Sequence, residues 1–345
     1  MNGFTRHILA LALTCWIGGM ASARTTDGTL GLLQLPNNGI PAIVEMQGSF
    51  TAVLRQEATL SLSGAAGELA LETIWSQLPG GMQQAQCSPS SPAPPGVYAL
   101  RAADGTGTDV NARAVYVVDS FPETYQVAHI TDTHIGKTGR PRPDTEILTT
   151  IIETINASEA ALTLITGDLT ENGEPEQFQR FLGLLDLCRL PTFVVPGNHD
   201  RKADNYRRFF GPLTYYFTFG KDGYLAFDTK DYLIANELTG QDGLLHFYRR
   251  QIRASRWSIG FTHRYDVTMG IRAQITLFVD DPLDYLVYGH IHREAGEGDG
   301  IPWGSTRAII TPAAIDGVFR ILRVDVNGVH PLETIDTAAN PNQEN

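Results

Sequence analysis

The chain has 345 residues, of which 42% are hydrophobic and 19% are charged, and its formal net charge is −12. This composition is typical of a soluble globular protein that is long enough for two domains. The acidic surface repels polyanions and counts against bulk nucleic-acid binding. It is still compatible with a small phosphorylated substrate, because bound metal ions can reverse the field locally. The oligomeric state has no signal in the sequence.

The first 23 residues have the pattern of a secretory signal peptide. The positively charged start MNGFTRH precedes the apolar run ILALALTCWIGGM, and Ala21-Ser22-Ala23 forms an A-x-A cleavage signal. The apolar run is shorter than the roughly 20 residues that span a bilayer, which disfavours a membrane anchor. We therefore expect export to a bacterial periplasm or to the exterior, with no transmembrane segment after cleavage.

Only Cys87 and Cys188 follow this segment, too few for a disulfide framework. Such a low cysteine content fits a bacterial periplasm or exterior better than a cystine-stapled small ectodomain. Whether the two cysteines pair is left open, because they lie in different predicted domains.

Residues 24–122 have the texture of an all-β domain. Short apolar segments alternate with turns, and they predict strands at TLGLLQL, AIVEM, FTAVL, ATLSLS, VYALRA and ARAVYVV. The tract CSPSSPAPPG is predicted to be a long loop, because proline cannot continue a central strand. We predict a small antiparallel β-sandwich. Its residues leave its role open between a substrate-shaping lid, an adhesion module and a packing accessory.

Residues 123–336 change to strands that alternate with helices, as in a layered α/β domain. Apolar residues recur at helical spacing between Ile147 and Ile155, behind Asp144 as the predicted helix cap. Further helices are predicted around PEQFQRFLGLLDL and LLHFYRRQIRAS, and strands at YQVAHI, ALTLI, TFVV, WSIGF, DYLVY, RAIIT and FRILRV. The polar tail 337–345 is expected to be disordered.

Five of these strands lead directly into side chains that bind metals or move protons. In chain order these are Asp132, His134, Asp168, Asn198, His199, His263, His290 and His292. Open α/β sheets place their ligand crevice at the carboxyl ends of strands. The i, i+2 spacing of Asp132-x-His134 and His290-x-His292 puts both side chains on one side of an extended segment. One such residue would be an ordinary structural feature, but the series predicts a site.

Imidazole, carboxylate and one amide carbonyl, without thiolate, form a ligand set that suits divalent transition metals. The set is larger than one ion needs and suits two ions that share a carboxylate. Two ions about 3.5 to 4 Å apart can clamp the attacking and leaving oxygens of an in-line displacement. The predicted chemistry is therefore phosphoester hydrolysis.

The motifs D-x-H, G-D, G-N-H-D, a single H and G-H-x-H, spread in this order over residues 123–325, resemble those of the calcineurin-like metallophosphoesterase superfamily. The resemblance implies an α/β fold, a two-layered β-sandwich flanked by helices, here preceded by the small all-β sandwich domain. It implies two divalent or mixed-valence ions of iron, manganese or zinc, and in-line attack by a metal-bridging hydroxide. By position, one ion takes Asp132, His134 and His292, the second takes Asn198, His263 and His290, and Asp168 bridges them.

The same resemblance assigns roles to two further residues. His199 looks like the general acid that protonates the leaving oxygen. Glu171 matches a carboxylate that orients this histidine in some relatives, and its alternative interpretation is a solvated loop glutamate. Purple acid phosphatases carry a metal-binding tyrosine at the position of Glu171, so a tyrosinate-ligated centre is not expected.

Within the superfamily, GDLTENG, GNHD and YRRFFGPLTYYFTFG resemble the branch of class III cyclic nucleotide phosphodiesterases and related bacterial phosphodiesterases. The sequence HRYDVTMG at His263 departs from the His-x-Pro common in that branch, which counts against a cyclic nucleotide substrate. A phosphodiesterase for small substrates is the main hypothesis. The alternatives are a phosphomonoesterase of the same fold and a non-catalytic, metal-stabilised binding protein.

Overall fold

The structure is a computed structural model. It describes residues 25, 27–228, 244–246, 248–265, 274–293 and 304–337. The predicted signal peptide lies outside the described residues, and so do residues 338–345 of the predicted disordered tail. Thr337, the first residue of that tail, donates its N–H to the Gly317 carbonyl at 2.8 Å. Among the helices that are described, none has the length and hydropathy of a membrane span.

The amino-terminal region is all-β, as predicted. Its strands are β1 (Leu33–Leu35), β2 (Ala42–Glu45), β3 (Phe50–Leu54), β4 (Thr59–Gly64), β5 (Gly67–Gln77), β6 (Gln83–Pro89), β7 (Gly96–Ala103) and β8 (Thr108–Val118). They are hydrogen-bonded in the order β1-β3-β6-β5-β4-β7-β8-β2. Buried side chains from β1, β3 and β6 pack in one cluster with those from β4, β7 and β8, so the sheet encloses its own core. Strands β2 and β8 are parallel, where an antiparallel arrangement was expected.

Two strands of this region differ from the sequence prediction. Strand β5 was not predicted, because its residues are exposed or half-buried in alternation and include the exposed Ile74. The predicted loop at CSPSSPAPPG is wrong at its start, since Cys87, Ser88 and Pro89 end strand β6. The Cys87 side chain is fully buried, and strand β6 continues past it to the first proline, Pro89. Cys87 and Cys188 are both free thiols, which answers the open question of their pairing.

The region after residue 123 contains two five-stranded sheets. The first has the order β11-β10-β9-β17-β18 and the second the order β12-β13-β14-β15-β16. The strands are β9 (Tyr125–Ile130), β10 (Ala160–Thr166), β11 (Thr192–Val195), β12 (Tyr215–Phe219), β13 (Asp222–Ala226), β14 (Ser258–Phe261), β15 (Tyr285–Tyr288), β16 (Arg307–Ile310), β17 (Val318–Asp325) and β18 (Gly328–Asp336). The helices are α1 (Asp144–Asn156), α2 (Pro175–Leu185) and α3 (Asn205–Phe210), with short 3₁₀ turns at Lys202–Asp204 and Ala314–Asp316 and π turns at Tyr248–Ile252 and Thr276–Asp280.

The two sheets pack face to face and are covered on the outside. Leu164 and Phe193 of the first sheet share a buried core with Phe261 and Val287 of the second. A second core joins the outer side of the first sheet to α1, α2 and α3, and a third joins the outer side of the second sheet to residues 244–252 and 276–283. This is the predicted two-layered β-sandwich flanked by helices.

Several local predictions for this region need correction. Strands β12, β13 and β18 were not predicted. Asp144 does not cap α1: the capping residue is Pro143, and the Asp144 carboxylate accepts the N–H groups of Gly136 and Thr145 instead. This contact fastens the loop that follows β9. The helix expected at LLHFYRRQIRAS is limited to 244–246 and the π turn, with residue 247 outside the described residues.

Strand direction explains how distant residues meet. Strands β9, β10 and β11 are mutually parallel, as are β13, β14, β15 and β16. Each series therefore delivers the residues after its strands to one edge of its sheet. Because the two sheets are stacked, their carboxyl edges lie beside each other.

The segment before β2 covers the free edge of the first sheet. Among the described strands, none pairs with β11 on its outer side, and there the Gly39 carbonyl accepts the Val194 N–H at 2.9 Å. The buried Asn37 side chain donates to the Phe210 carbonyl at 3.1 Å. An uncovered edge exposes unpaired backbone groups, so this segment protects it. The proposed boundary at residue 122 thus separates two regions that share backbone hydrogen bonds; the boundary itself stays a prediction.

Candidate metal centre

The residues expected at the strand ends lie in one cleft. Three overlapping groups of side chains place their ligand atoms within 4.8 Å of one another: Asp132, Asp168, His263 and His290; Asp132, His134 and His292; and His134, Asp168 and His199. Asn198 joins them, because its Oδ1 lies 3.2 Å from His263 Nε2. The cleft has a volume of about 230 Å³.

One half of the cleft contains Asp132, His134 and His292. The Oδ2 atom of Asp132 accepts the Thr131 hydroxyl at 2.7 Å and the His290 N–H at 2.9 Å. These bonds turn Oδ1 toward the imidazoles, 3.8 Å from His134 Nε2 and 3.2 Å from His292 Nε2. Asp132 is therefore held by neighbours on one oxygen and offers the other to the cleft.

The other half contains Asn198, His263 and His290. The Nε2 atom of His263 lies 3.1 Å from His290 Nδ1 and 3.2 Å from Asp168 Oδ2. The same Asp168 oxygen lies 3.8 Å from His134 Nε2 in the first half. Asp168 thus stands between the two groups of imidazoles.

Two buried atoms indicate that this arrangement fits a metal ion. Asp132 Oδ1 and His134 Nε2 are buried, and neither has a hydrogen-bond partner among the described residues. An unsatisfied buried polar atom costs roughly 1 to 3 kcal/mol. Ligand bonds of about 2.0 to 2.2 Å allow two ligands of one ion to lie up to ~4 Å apart. The separations of 3.2 and 3.8 Å among these residues satisfy that limit.

The backbone at the site adopts an uncommon conformation. Asp132, His134 and Asp168 have φ between 47° and 55°, and His290 and His292 have φ of 68° and 52°. A left-handed conformation at a non-glycine residue costs of order 1 to 3 kcal/mol and collects at functional sites. This also corrects the expectation that D-x-H and H-x-H use extended backbone: positive φ at both residues of each pair aims the side chains.

Two glycines of the motifs are required by close contact. A Cβ at Gly197 would lie 2.0 Å from Asp168 Oδ1 and 2.2 Å from its backbone nitrogen. Gly167 has φ of 79°, and a Cβ there would lie 2.6 Å from the His263 Cβ. The G-D and G-N-H sequences therefore bring one backbone turn directly against the side chains of another.

Asp200 holds these turns together, a role that the sequence did not indicate. Its buried carboxylate accepts the N–H groups of Leu169, Thr170 and Gly197 at 2.8 to 3.0 Å and the Thr170 hydroxyl at 2.8 Å. It ties the turn after β10 to the turn after β11. The signal available in the sequence was its place in G-N-H-D, directly after His199.

Three histidines are oriented by bonds to their Nδ1 atoms. His263 Nδ1 lies 2.9 Å from the Thr166 carbonyl, and His134 Nδ1 lies 2.8 Å from Glu171 Oε2. His199 Nδ1 lies 2.6 Å from the Glu171 carbonyl. An acceptor at Nδ1 fixes the tautomer with Nε2 free to act. In each case Nε2 is the atom within 4.0 Å of Asp168 Oδ2.

The contacts of Glu171 differ from the predicted ones. Its carboxylate was expected to orient His199, but it binds His134 and also Lys137, whose Nζ lies 2.7 Å from Oε1. Its backbone carbonyl binds His199 instead. The Glu171 N–H donates to the Ile135 carbonyl, and this bond sets the carboxylate over the D-x-H turn.

Carboxylates and imidazoles within the site stabilise each other's charged forms. Burial disfavours the charge of Asp132, but His134 and His292 outweigh it and hold its pKa below the usual value. Burial disfavours the imidazolium form of His263, but Asp168 outweighs it and raises the pKa of His263. Metal ions must displace protons from imidazole nitrogens. We therefore expect metal affinity to decrease as the pH falls.

Comparison with known proteins agrees with the fold. Residues 125–294 match the family described as calcineurin-like phosphoesterase, and the chain belongs to that family.

Similarity to individual proteins covers different parts of the chain. A probable glycerophosphodiester phosphodiesterase GpdQ of Arcobacter nitrofigilis is 37% identical over 90 residues, 24% of this chain and 33% of that protein. A probable cyclic nucleotide phosphodiesterase of Rhodopseudomonas palustris is 26% identical over 217 residues, 54% of this chain and 79% of that protein. The chain thus spans a third of the first relative and about four fifths of the second.

The fold also resembles that of a purple acid phosphatase from yellow lupin (Lupinus luteus) seeds. The TM-score is 0.55 at 12% identity, with 89% of this chain and 72% of that chain covered. At this identity the likeness shows the fold alone.

We predict that Asp168→Asn lowers the number of metal ions bound per chain, from two to at most one. An amide removes the negative charge that both groups of imidazoles face. Metal content is measured by elemental analysis after loading with Mn²⁺ and desalting. Asp104→Asn, in an exposed turn, is the matched control and should keep both ions. Two ions retained by Asp168→Asn would contradict the bridging position of this carboxylate.

Proposed function

We propose that the chain is an exported phosphodiesterase that hydrolyses small phosphodiesters at a centre of two metal ions. The observation that carries the proposal is the position of Asp168 Oδ2, 3.2 Å from His263 Nε2 and 3.8 Å from His134 Nε2. One carboxylate oxygen between two separate groups of imidazoles suits two ions better than one. The names of the relatives support a diester substrate, since both are described as probable phosphodiesterases.

The ligand sets follow from which side chains approach each other. Asp132, His134 and His292 would hold one ion, which accounts for the unpartnered Asp132 Oδ1 and His134 Nε2. Asn198, His263 and His290 would hold the second, and Asp168 would contact both. Iron, manganese and zinc all suit imidazole and carboxylate ligands. Bound there, two ions would supply Lewis acidity and would lower the pKa of water toward neutrality.

The protein's own residues supply orientation and a proton. His199 is half-buried at the cleft, and its Nδ1 is occupied by the Glu171 carbonyl at 2.6 Å. When the ring is protonated, Nε2 carries the proton that faces the cleft. Transfer of that proton to the departing oxygen avoids release of an alkoxide. The neighbouring Asn198 cannot titrate, so the two adjacent residues divide ligand binding from proton transfer.

We propose that residues 24–122 serve as a packing accessory domain. The contacts of Gly39 with Val194 and of Asn37 with Phe210 support this role over that of a lid, because they lie at the outer edge of β11. The Arg113 side chain adds a contact to the Leu190 carbonyl at 3.0 Å. Export is proposed from the signal pattern of residues 1–23.

Substrate preference tests the proposal. The protein, residues 24–345, is loaded with Mn²⁺ and assayed with bis(p-nitrophenyl) phosphate and with p-nitrophenyl phosphate, each with and without a chelator. We expect chelator-sensitive turnover with a higher kcat/KM for the diester. A preference for the monoester would identify a phosphatase, and no turnover of either ester would favour a binding protein.

We predict that His199→Ala leaves the metal content unchanged and lowers turnover by about 10²- to 10⁴-fold for diesters with alkoxide leaving groups, the usual size of acid catalysis. The loss should be smaller for p-nitrophenoxide, which needs no proton to depart. Rates for the two kinds of leaving group are compared in the variant and the wild type. Equal losses for both would contradict the role of His199 as the acid.

A further inference from the structure

The loop between β9 and α1 carries two cationic side chains into the cleft. Lys137 and Arg140 line it beside His134, His199 and His292. Their side chains are 43% and 33% exposed, so their charged ends are accessible. Neither residue belongs to the proposed metal ligands, and neither has a role in the proposed reaction.

The loop is fastened at both ends, so the two cations have defined positions. At its start, the Lys137 N–H donates to the His134 carbonyl at 2.9 Å, and Ile135 is bridged to Thr170. At its end, the Asp144 carboxylate accepts the Gly136 N–H and thereby closes the loop onto the first turn of α1. The cations are held by the same turns that shape the metal centre.

Each cation forms an ion pair with a carboxylate and has further N–H donors for a ligand. Lys137 pairs with Glu171 at 2.7 Å, and Arg140 pairs with Asp316. An ammonium group has three N–H donors and a guanidinium has five in a planar fork that matches phosphate oxygens. The protein as a whole carries a net charge of −12. Two cations beside the metal centre therefore favour an anion that the rest of the surface repels.

The cleft has room for this anion in addition to the phosphate that reacts. The space of about 230 Å³ is several times the ~30 Å³ that one water takes in the liquid. The reacting phosphate must contact the ions that Asp132 and Asp168 would hold. Lys137 and Arg140 follow Asp132 on the loop between β9 and α1, and they pair with carboxylates outside that ligand set. A substrate that fills the cleft can reach both places.

We propose that Arg140, with Lys137 beside it, binds a second phosphate group on one arm of the diester substrate and so determines specificity. The inference rests on the proposed function and adds the substrate class: phosphodiesters that carry a further phosphate. Arg140 is the better residue to test, because Lys137 shares Glu171 with His134 and its substitution would disturb a ligand candidate.

The test uses two substrates that differ only in that group. Thymidine 5′-(p-nitrophenyl phosphate) and its 3′-phosphorylated form both release p-nitrophenol from the diester. The Mn²⁺-loaded wild type should have a higher kcat/KM for the 3′-phosphorylated form. In Arg140→Gln this ratio should fall by about tenfold or more, the size expected for loss of a charge-assisted hydrogen bond. Arg142→Gln is the matched control on the same loop, since Arg142 turns away to Glu146 at 3.1 Å, and its ratio should equal that of the wild type.

Calorimetric titration with thymidine 3′,5′-bisphosphate and with thymidine 5′-monophosphate gives a readout independent of turnover. Tighter binding of the bisphosphate that is lost in Arg140→Gln supports the inference even if the wild type hydrolyses neither ester, an outcome in which only the proposed function fails. The inference is overturned if the wild type neither prefers the 3′-phosphorylated substrate nor binds the bisphosphate more tightly. Equal losses in Arg140→Gln and Arg142→Gln, or equal losses for both substrates in Arg140→Gln, also overturn it.

Discussion

The arrangement of the site depends on the contacts that the Asp168 carboxylate makes. Its Oδ1 accepts the His199 N–H at 2.8 Å, and its Oδ2 lies 3.2 Å from His263 and 3.8 Å from His134. These partners follow three different strands and belong to both sheets. Moving this one side chain would therefore disturb both groups of imidazoles and the proposed acid together.

The surrounding structure offsets the cost of holding that carboxylate in place. The Asp168 backbone has φ of 48°, and four of the other candidate ligands share the left-handed region. The buried Asp200 carboxylate binds the turns on either side, and Gly197 leaves room for Asp168 to lie against the chain. A preorganised site of this kind needs little rearrangement to bind an ion, because the candidate ligand atoms within each group already lie within 4.8 Å of one another.

The sequence was sufficient to predict the layered fold and the residues that meet at the strand ends. Its signals were local: apolar runs for β9, β10 and β11, followed at once by polar side chains. Tertiary contacts decided what it did not predict. Asp144 was assigned to a helix cap, since nothing local indicates that Gly136 folds back onto it. Glu171 was assigned to His199 from its position in the family motif, but its carboxylate contacts His134 and Lys137. Strand β5 was not predicted, because neither of its faces is fully buried.

Anomalous diffraction from crystals of the Mn²⁺-loaded protein tests whether the cleft holds two ions on either side of Asp168. We predict two peaks about 3.5 to 4 Å apart, with Asp168 between them. One peak should lie beside Asp132, His134 and His292, and the other beside Asn198, His263 and His290. A single fully occupied peak in the cleft, with no second peak on the other side of Asp168, would contradict the dinuclear centre.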